Sequence, residues 1–443
     1  MTRWINHAIF WHVYPIGFVG AEQHTQAGVR HRLGHVVDWL DYAAAMGVSG
    51  LLLGPIFESS THGYDTIDHF RIDPRLGDDG DFDRLIAEAR RRGLHVVLDG
   101  VFNHVGRDFP LFRAAVANGA ASREAGWFRR LGPEDSAQEP QYATFEGHHA
   151  LVALNHASAD VAAYVVRVMN HWLGGGAFGW RLDAAYAVPR SFWAKVLPDV
   201  RRHHPDAYIF GEVIHGDYDG FVADAGVDAV TQYELWKAIW SAINDRNLFE
   251  LHWALERHNG FLDRFAPFTF LGNHDVTRLA SRLTDERHIA HALAILMTIG
   301  GTPAVYAGDE QAFRGIKEDR AGGDDAVRPT FPATPAGLAP FGWPTYRLHQ
   351  HLIGLRRRHP WLVRAKSRKI HLTNRQMVLA MEADENCVLL ALNLDDGDAT
   401  LAAPGVDEVL AGAAVVTNAG PHGPNSVRLA GHGWAVLSTV RRR

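Results

Sequence analysis

The sequence predicts an α/β protein: a (β/α)8 TIM barrel with an inserted subdomain after its third strand, followed by a C-terminal antiparallel β domain. Three observations lead to this fold. Short apolar runs alternate with longer amphipathic stretches about eight times through the first three-quarters of the chain. Several of these runs lack strict period-two alternation, as strands covered on both faces do. Near residue 362 the rhythm changes to closely spaced apolar runs separated by Gly, Asp and Asn turns. A length of 443 residues suits one large barrel plus a smaller unit.

The candidate barrel strands are residues 9–14, 50–53, 95–98, 178–182, 207–210, 229–230, 268–271 and 304–306. Between them, residues 85–92 and 161–172 read as helices, the second with the apolar stripe Val161, Tyr164, Val165, Val168 and Trp172. Residues 105–158 break the alternation with Arg107-Asp-Phe-Pro, clustered Gly and Pro, and His148-His149. That stretch exceeds the roughly 12–15 residues an unstructured loop spans, so it is expected to form a subdomain on the active face. The expected division is therefore 1–104 and 159–362 for the barrel, 105–158 for the insertion, and 363–443 for a C-terminal β-sandwich. The apolar window 290–307 is not a membrane span. His291 and Gly300-Gly301-Thr302-Pro303 divide it into a helix and a short strand.

With 44 basic and 50 acidic residues the formal charge is −6, and no like-charged tract stands out. This disfavours nucleic-acid and polybasic membrane partners. Cys387 is the only cysteine, which excludes an intrachain disulfide and reads as a buried small hydrophobe in an apolar run. The start, MTRWINHAIFWHVYP, lacks the apolar core of a signal peptide, so a cytoplasmic location is expected. The 13 Trp residues include candidates for stacking on sugar faces, although core packing explains most Trp equally well.

Four segments carry the chemistry: Asp99-Gly-Val-Phe-Asn103-His104, Gly179-Trp-Arg181-Leu-Asp183, Phe210-Gly-Glu212 and Asn273-His274-Asp275. Each ends an apolar run, and in a barrel the C-terminal strand ends surround one cavity. Arg181 and Asp183, two positions apart on a strand, share a face. Asp99 is placed to bind the same guanidinium through a bidentate pair, which would hold Asp183 ionised. Glu212 follows an apolar approach, where burial and neighbouring carboxylates favour its protonated form. A nucleophile and an acid/base about 5–5.5 Å apart are the requirement of retaining glycoside hydrolysis. Asp275 supplies a third carboxylate for sugar hydroxyls, and His104 and His274 are neutral hydrogen-bond donors. His104, Asp183, Glu212, His274 and Asp275 include metal-ligand types. They contain no HxxxH or HExxH unit, so the chemistry is expected to need no cofactor.

Together these segments resemble the α-amylase superfamily of glycoside hydrolases, in family order. Further matches are Tyr14-Pro15, His62-Gly-Tyr64-Asp65-Thr-Ile-Asp68 and Gly301-Thr-Pro-Ala-Val-Tyr-Ala-Gly-Asp309-Glu310. The resemblance implies Asp183 as nucleophile, Glu212 as general acid/base and Asp275 as transition-state stabiliser. It also implies Tyr64 stacked on the sugar, with His104, Arg181 and His274 in contact with it, and Asp99 and Asp65 in support. Asn103 lies where some members hold a structural Ca²⁺. Leu151-Val-Ala-Leu154-Asn155 resembles a motif of the cyclomaltodextrinase, neopullulanase and maltogenic amylase group, but with Val152 and Ala153 in place of its usual Pro-Lys or Pro-Asp. The chain starts close to its first strand, so the N-terminal β domain common in that group is expected to be absent.

The implied activity is cleavage of α-1,4 links in short linear or small cyclic maltooligosaccharides. Its alternatives are an α-glucosyl transferase or isomerase using the same acids, and an inactive carbohydrate-binding relative. The charges of Asp319-Arg320 and 324–328 are read as a solvated cluster, with an outer sugar subsite as the other reading. Both monomer and homodimer stay open.

Overall fold

The structure, a computed structural model, describes residues 4–25, 28–119, 121–131, 141–320, 322–417 and 425–439. Eight parallel strands form the barrel: β1 (Phe10–Val13), β2 (Gly50–Leu53), β3 (His95–Gly100), β4 (Gly179–Leu182), β5 (Tyr208–Gly211), β6 (Ala229–Val230), β7 (Phe268–Phe270) and β8 (Thr302–Tyr306). Their order is β6-β5-β4-β3-β2-β1-β8-β7. A parallel bridge between Thr231 and Phe268, joined by the Gln232 N–H donating to the Phe268 carbonyl, links the two ends. Every residue of β1, β2, β4 and β5 is buried, which explains why these strands read as unbroken apolar runs.

The outer helices extend beyond the stretches that their apolar residues mark. The helix expected at 85–92 runs over Asp79–Arg91, because Asp78 and Asp81 form a capping box that starts it earlier. The helix expected at 161–172 runs over Ala159–Gly174 and buries Val161, Val165, Val168 and Trp172. The 290–307 window divides as expected, into the helix Ile289–Thr298 and β8. Among the described residues, no helix is long and apolar enough to cross a membrane.

The insertion starts a three-stranded antiparallel sheet directly at the barrel mouth. His104–Gly106 pairs with His148–Ala153, which also pairs with Thr144–Phe145, and the helix Pro110–Asn118 lies between them in sequence. A candidate site residue, His104, is thus also the first residue of the inserted sheet.

The C-terminal region is antiparallel, as expected. Lys366–Leu372, Gln376–Ala383, Asn386–Asn393, Trp434–Thr439 and Val406–Gly412 form one sheet, in that order. Ala399–Ala402, Ser426–Leu429 and Val415–Thr417 form the second. Alternation on Gln376–Ala383 assigns its two faces. Met377, Leu379 and Met381 join the barrel core, whereas Val378 and Ala380 pack with Leu401, Val427 and Leu429 of the second sheet. Cys387 departs from its expected burial. It is half-buried near the start of its strand, whereas Val388 to Asn393 beyond it are buried.

Gly179 measures how closely β4 and β5 approach. A Cβ there would lie 2.0 Å from the Tyr208 carbonyl oxygen, a backbone atom that cannot swing away. Gly179→Ala is expected to cost about 1–3 kcal/mol, read as a lowered urea midpoint. An unchanged midpoint would refute the close strand contact.

Candidate active site

Strand register assembles the site around one guanidinium. Arg181 lies opposite Asp99 on β3 and Phe210 on β5, so Asp183 and Glu212, each two residues further along, emerge side by side beyond the strand ends. Arg181 Nη1 donates to both Asp99 oxygens, at 2.6 and 2.5 Å, and to Asp183 Oδ1 at 3.2 Å. Its Nη2 lies 2.7 Å from Glu212 Oε1. The expected two-nitrogen fork on Asp99 is not formed. One nitrogen takes both Asp99 oxygens, which leaves the other for Glu212, so the guanidinium is shared by three carboxylates rather than reserved for Asp183.

Glu212 is fixed from two further directions. Its Oε2 accepts the Ala184 N–H at 2.9 Å, in a turn where Ala184 adopts φ +44°. Its Oε1 accepts from the Tyr233 hydroxyl at 3.1 Å, and Asn273 Nδ2 donates to that hydroxyl at 2.7 Å. Sequence reasoning missed Tyr233. It starts a helix just after the two-residue β6, and only that position signals a role.

A second cluster closes the opposite side. The His274 ring is nearly parallel to those of Tyr64 (centroids 5.4 Å apart) and Tyr14 (5.7 Å apart). The Tyr64 hydroxyl donates to Asp99 Oδ2 at 3.1 Å and also contacts His274 Nε2, which lies 3.0 Å from Asp275 Oδ2. Arg328 Nη2 donates to Asp275 Oδ1 at 2.9 Å and pairs with Asp324 at 3.1 Å. Its Nε donates to the His274 carbonyl at 2.9 Å, and its plane covers the Tyr14 ring at 4.6 Å. The expected solvated cluster is thus corrected at Arg328, whose side chain is only 11% exposed. Gly17 makes the approach possible, since a Cβ there would lie 2.4 Å from the Arg328 carbonyl oxygen.

The remaining candidates lie around this core. His104 Nδ1 contacts Asn103 Nδ2 at 3.0 Å, its ring stacks on Phe145 at 4.8 Å, and its Nε2 is buried. Burial pushes its pKa down to about 3, which keeps the imidazole neutral. Asp65 accepts from the Thr61 N–H at 3.0 Å and the Thr61 hydroxyl at 2.6 Å, so it shapes the Tyr64 loop and lies outside the carboxylate cluster.

Asn103 is buried beside His104. Its amide nitrogen is engaged with His104 and its carbonyl accepts the Leu154 N–H. Two groups of acidic and histidine side chains elsewhere, Asp285–His288–His432 and His31–Asp78–Asp81, are spaced so that they could hold a cation. In the first group Arg287 contacts both Asp285 oxygens, and the two histidines are hydrogen-bonded at 3.0 Å.

The carboxylates differ in their hold on a proton. Burial pushes Asp183 well up, Glu212, Asp99 and Asp275 add to the shift, and Arg181 opposes it. The expectation that the Asp99–Arg181 pair holds Asp183 ionised is corrected accordingly. Burial would raise Asp275 too, but His274, Arg328 and Arg181 override it and hold this carboxyl well below its usual range.

Residues 12–377 match the family model described as the α-amylase catalytic domain. The chain belongs to the α-amylase family. It is 35% identical over 294 residues to a cyclomaltodextrinase of Geobacillus thermopakistaniensis, covering 63% of this chain and 49% of that protein. It is 30% identical over 427 residues to a cyclomaltodextrinase of a Bacillus species, covering 90% of this chain and 74% of that protein. The chain thus spans about half the length of the first relative. A cyclic α-maltosyl-(1→6)-maltose hydrolase from Arthrobacter globiformis, solved with that cyclic sugar, superposes with a TM-score of 0.83 at 25% identity, over 98% of this chain and 99% of that one. Neopullulanase and maltogenic amylase are also among the relatives, so the family member is similar to the group its 151–155 segment resembles.

Arg328→Met leaves Asp275 and Asp324 without their guanidinium. The depressed pKa of Asp275 stabilises the fold above the unfolded value near 3.9, and that contribution fades as pH falls. The variant is expected to lose about 1–3 kcal/mol at pH 7, below the full buried-pair cost because Asp275 keeps 30% of its side chain exposed. Urea midpoints at pH 7 and pH 3 check this, since the contribution is lost only below the unfolded value near 3.9. A loss that does not shrink at pH 3 would refute the pairing.

Proposed function

We propose that this protein is a retaining α-glycoside hydrolase that cleaves α-1,4-glucosidic links in short linear or small cyclic maltooligosaccharides. The observation that carries the proposal is the sharing of Arg181 between Asp183 and Glu212, opposite Asp275 held by His274 and Arg328. The family's relatives that act on cyclic and maltose-based sugars support the substrate class.

In the first step Glu212 gives its proton to the glycosidic oxygen as the C1–O bond breaks, and an Asp183 oxygen bonds to C1. In the second, water bonds to C1, its proton passes to Glu212, and the Asp183–C1 bond breaks. Four crowded carboxylates around two guanidiniums favour retention of a proton, and the reaction uses it on Glu212. Arg181 Nη1 then serves the anionic Asp183, while Asp275, held well below the usual carboxyl range by His274 and Arg328, accepts hydrogen bonds from the ring hydroxyls. Tyr64 and the neutral His104 flank the same sugar. The single Cys387 suits a reducing cytoplasm. The chain is proposed to divide at residues 104, 158 and 362.

Product NMR with linear and cyclic maltosides is the direct test. α-Anomers are expected first, and β-anomers first, or no turnover of any maltoside, would overturn the proposal. Labelled acceptor sugar separates hydrolysis from transfer.

Tyr233→Phe removes a hydroxyl from Glu212 and is expected to lower kcat/KM about ten- to hundredfold, the cost of a hydrogen bond to a charged group. In the same pH–rate profile, activity of the wild type is expected to fall with decreasing pH at a point above the ordinary Asp value near 3.9, because Asp183 must be ionised to attack. An acid limb at or below that value would contradict the raised Asp183.

A further inference from the structure

The insertion touches the site through a turn that pays in backbone strain for one side chain. Glu146 and Gly147 join Thr144–Phe145 to His148–Ala153, with φ of +48° and +81°. Such paired left-handed positions favour Asn-Gly or Gly-Gly, and a long side chain at the first is strained. The Glu146 carboxylate accepts the Tyr186 hydroxyl hydrogen bond at 2.7 Å. Tyr186 lies three residues beyond Asp183, and its backbone N–H donates to the Glu212 carbonyl at 3.2 Å. The neighbouring Phe145 ring stacks on His104 at 4.8 Å and stands 6.4 Å from the Tyr186 ring. Burial, Glu146, Glu212 and Asp183 all push the Tyr186 phenol upward, consistent with its place beside both acids.

We infer that Glu146 is a positioning residue that clamps the insertion hairpin and the Tyr186 ring at the acid/base side of the cleft, where the sugar that leaves is received. This rests on the proposed hydrolase reading. Glu212 protonates the leaving oxygen, so the departing sugar lies on the Glu212 side. Arg328, Asp324 and Tyr14 flank Asp275 on the other side. The contact removed in either variant is the one to Tyr186, on the leaving-sugar side, and the Phe145–His104 stack beside the other sugar is left in place. Phe145 and Tyr186 supply the flat apolar faces a pyranose ring stacks on.

The test compares two substrates that deliver the same maltosyl group. Maltotriose releases glucose as its leaving sugar, whereas α-maltosyl fluoride releases only fluoride. Glu146→Gly keeps the left-handed turn but removes the carboxylate, and Tyr186→Phe keeps the ring but removes the hydroxyl. Both are expected to lower kcat/KM on maltotriose about five- to tenfold, less than a buried hydrogen bond to a charged group costs because this one is solvent-exposed, and to change it less than about twofold on the fluoride. Glu146→Gln, whose amide oxygen still accepts from the phenol, is expected to stay within about twofold of wild type on both. Equal losses on the two substrates, or no loss on maltotriose, would overturn the clamp. Failure of the wild type on both substrates would instead overturn the hydrolase reading beneath it.

Discussion

The buried guanidinium of Arg181 makes the rest of the site possible. Asp99, Asp183 and Glu212 come from the ends of three adjacent strands and are almost wholly buried, so without a shared cation their mutual repulsion and lost hydration would prevent all three from remaining charged. A lysine could supply the charge, but not two nitrogens fixed in one plane and directed at different partners. The parallel register of β3, β4 and β5 brings the three acids within reach of that plane. A slip of one residue would turn Arg181 to the opposite face of its strand.

Around this centre, similar carboxyl groups acquire opposite tendencies from their surroundings. Asp183 competes for Arg181 with two other acids and is pushed toward its protonated form. Asp275 has Arg328 and His274 close at hand and is pushed toward the anion. Arg328 reaches it across the Tyr14 ring, past a glycine that leaves its backbone room. The insertion adds a third influence, since its sheet begins at His104 and returns through Phe145 and Glu146 to the far side of the acids. The packing that buries these groups also sets their proton affinities, which ties the barrel's architecture to its chemistry.

Much of the fold was legible along the chain because parallel barrel strands are apolar on both faces and announce themselves as runs. Even the two-residue β6 fell where its run lies. Helix starts were less legible. The first turn of Asp79–Arg91 is acidic and solvated, and is marked by capping rather than by apolar spacing. In the site, Asp99, Arg181, Asp183, Glu212, His274 and Asp275 stood out as charged or imidazole groups at the ends of apolar runs, and the structure brings them together. Tyr233 did not stand out, because a tyrosine at the start of an amphipathic helix looks like a core residue until its hydroxyl is seen on Glu212. Arg328 was hidden among neighbouring charges, and only the fold separates it from the exposed ones.

The sequence by itself determined the alternation of elements, the strand ends that carry acids, and the family to which those motifs point. These depend on local spacing and residue type, which the chain displays directly. Only the tertiary structure decided how charge is shared: that Arg181 divides itself among three carboxylates, that Arg328 belongs to Asp275, and that Glu146 meets Tyr186. The reason is physical. Electrostatic partnership depends on distance and burial across elements far apart in the chain, and a partner's identity is fixed only when register and packing bring both groups into the same low-dielectric space.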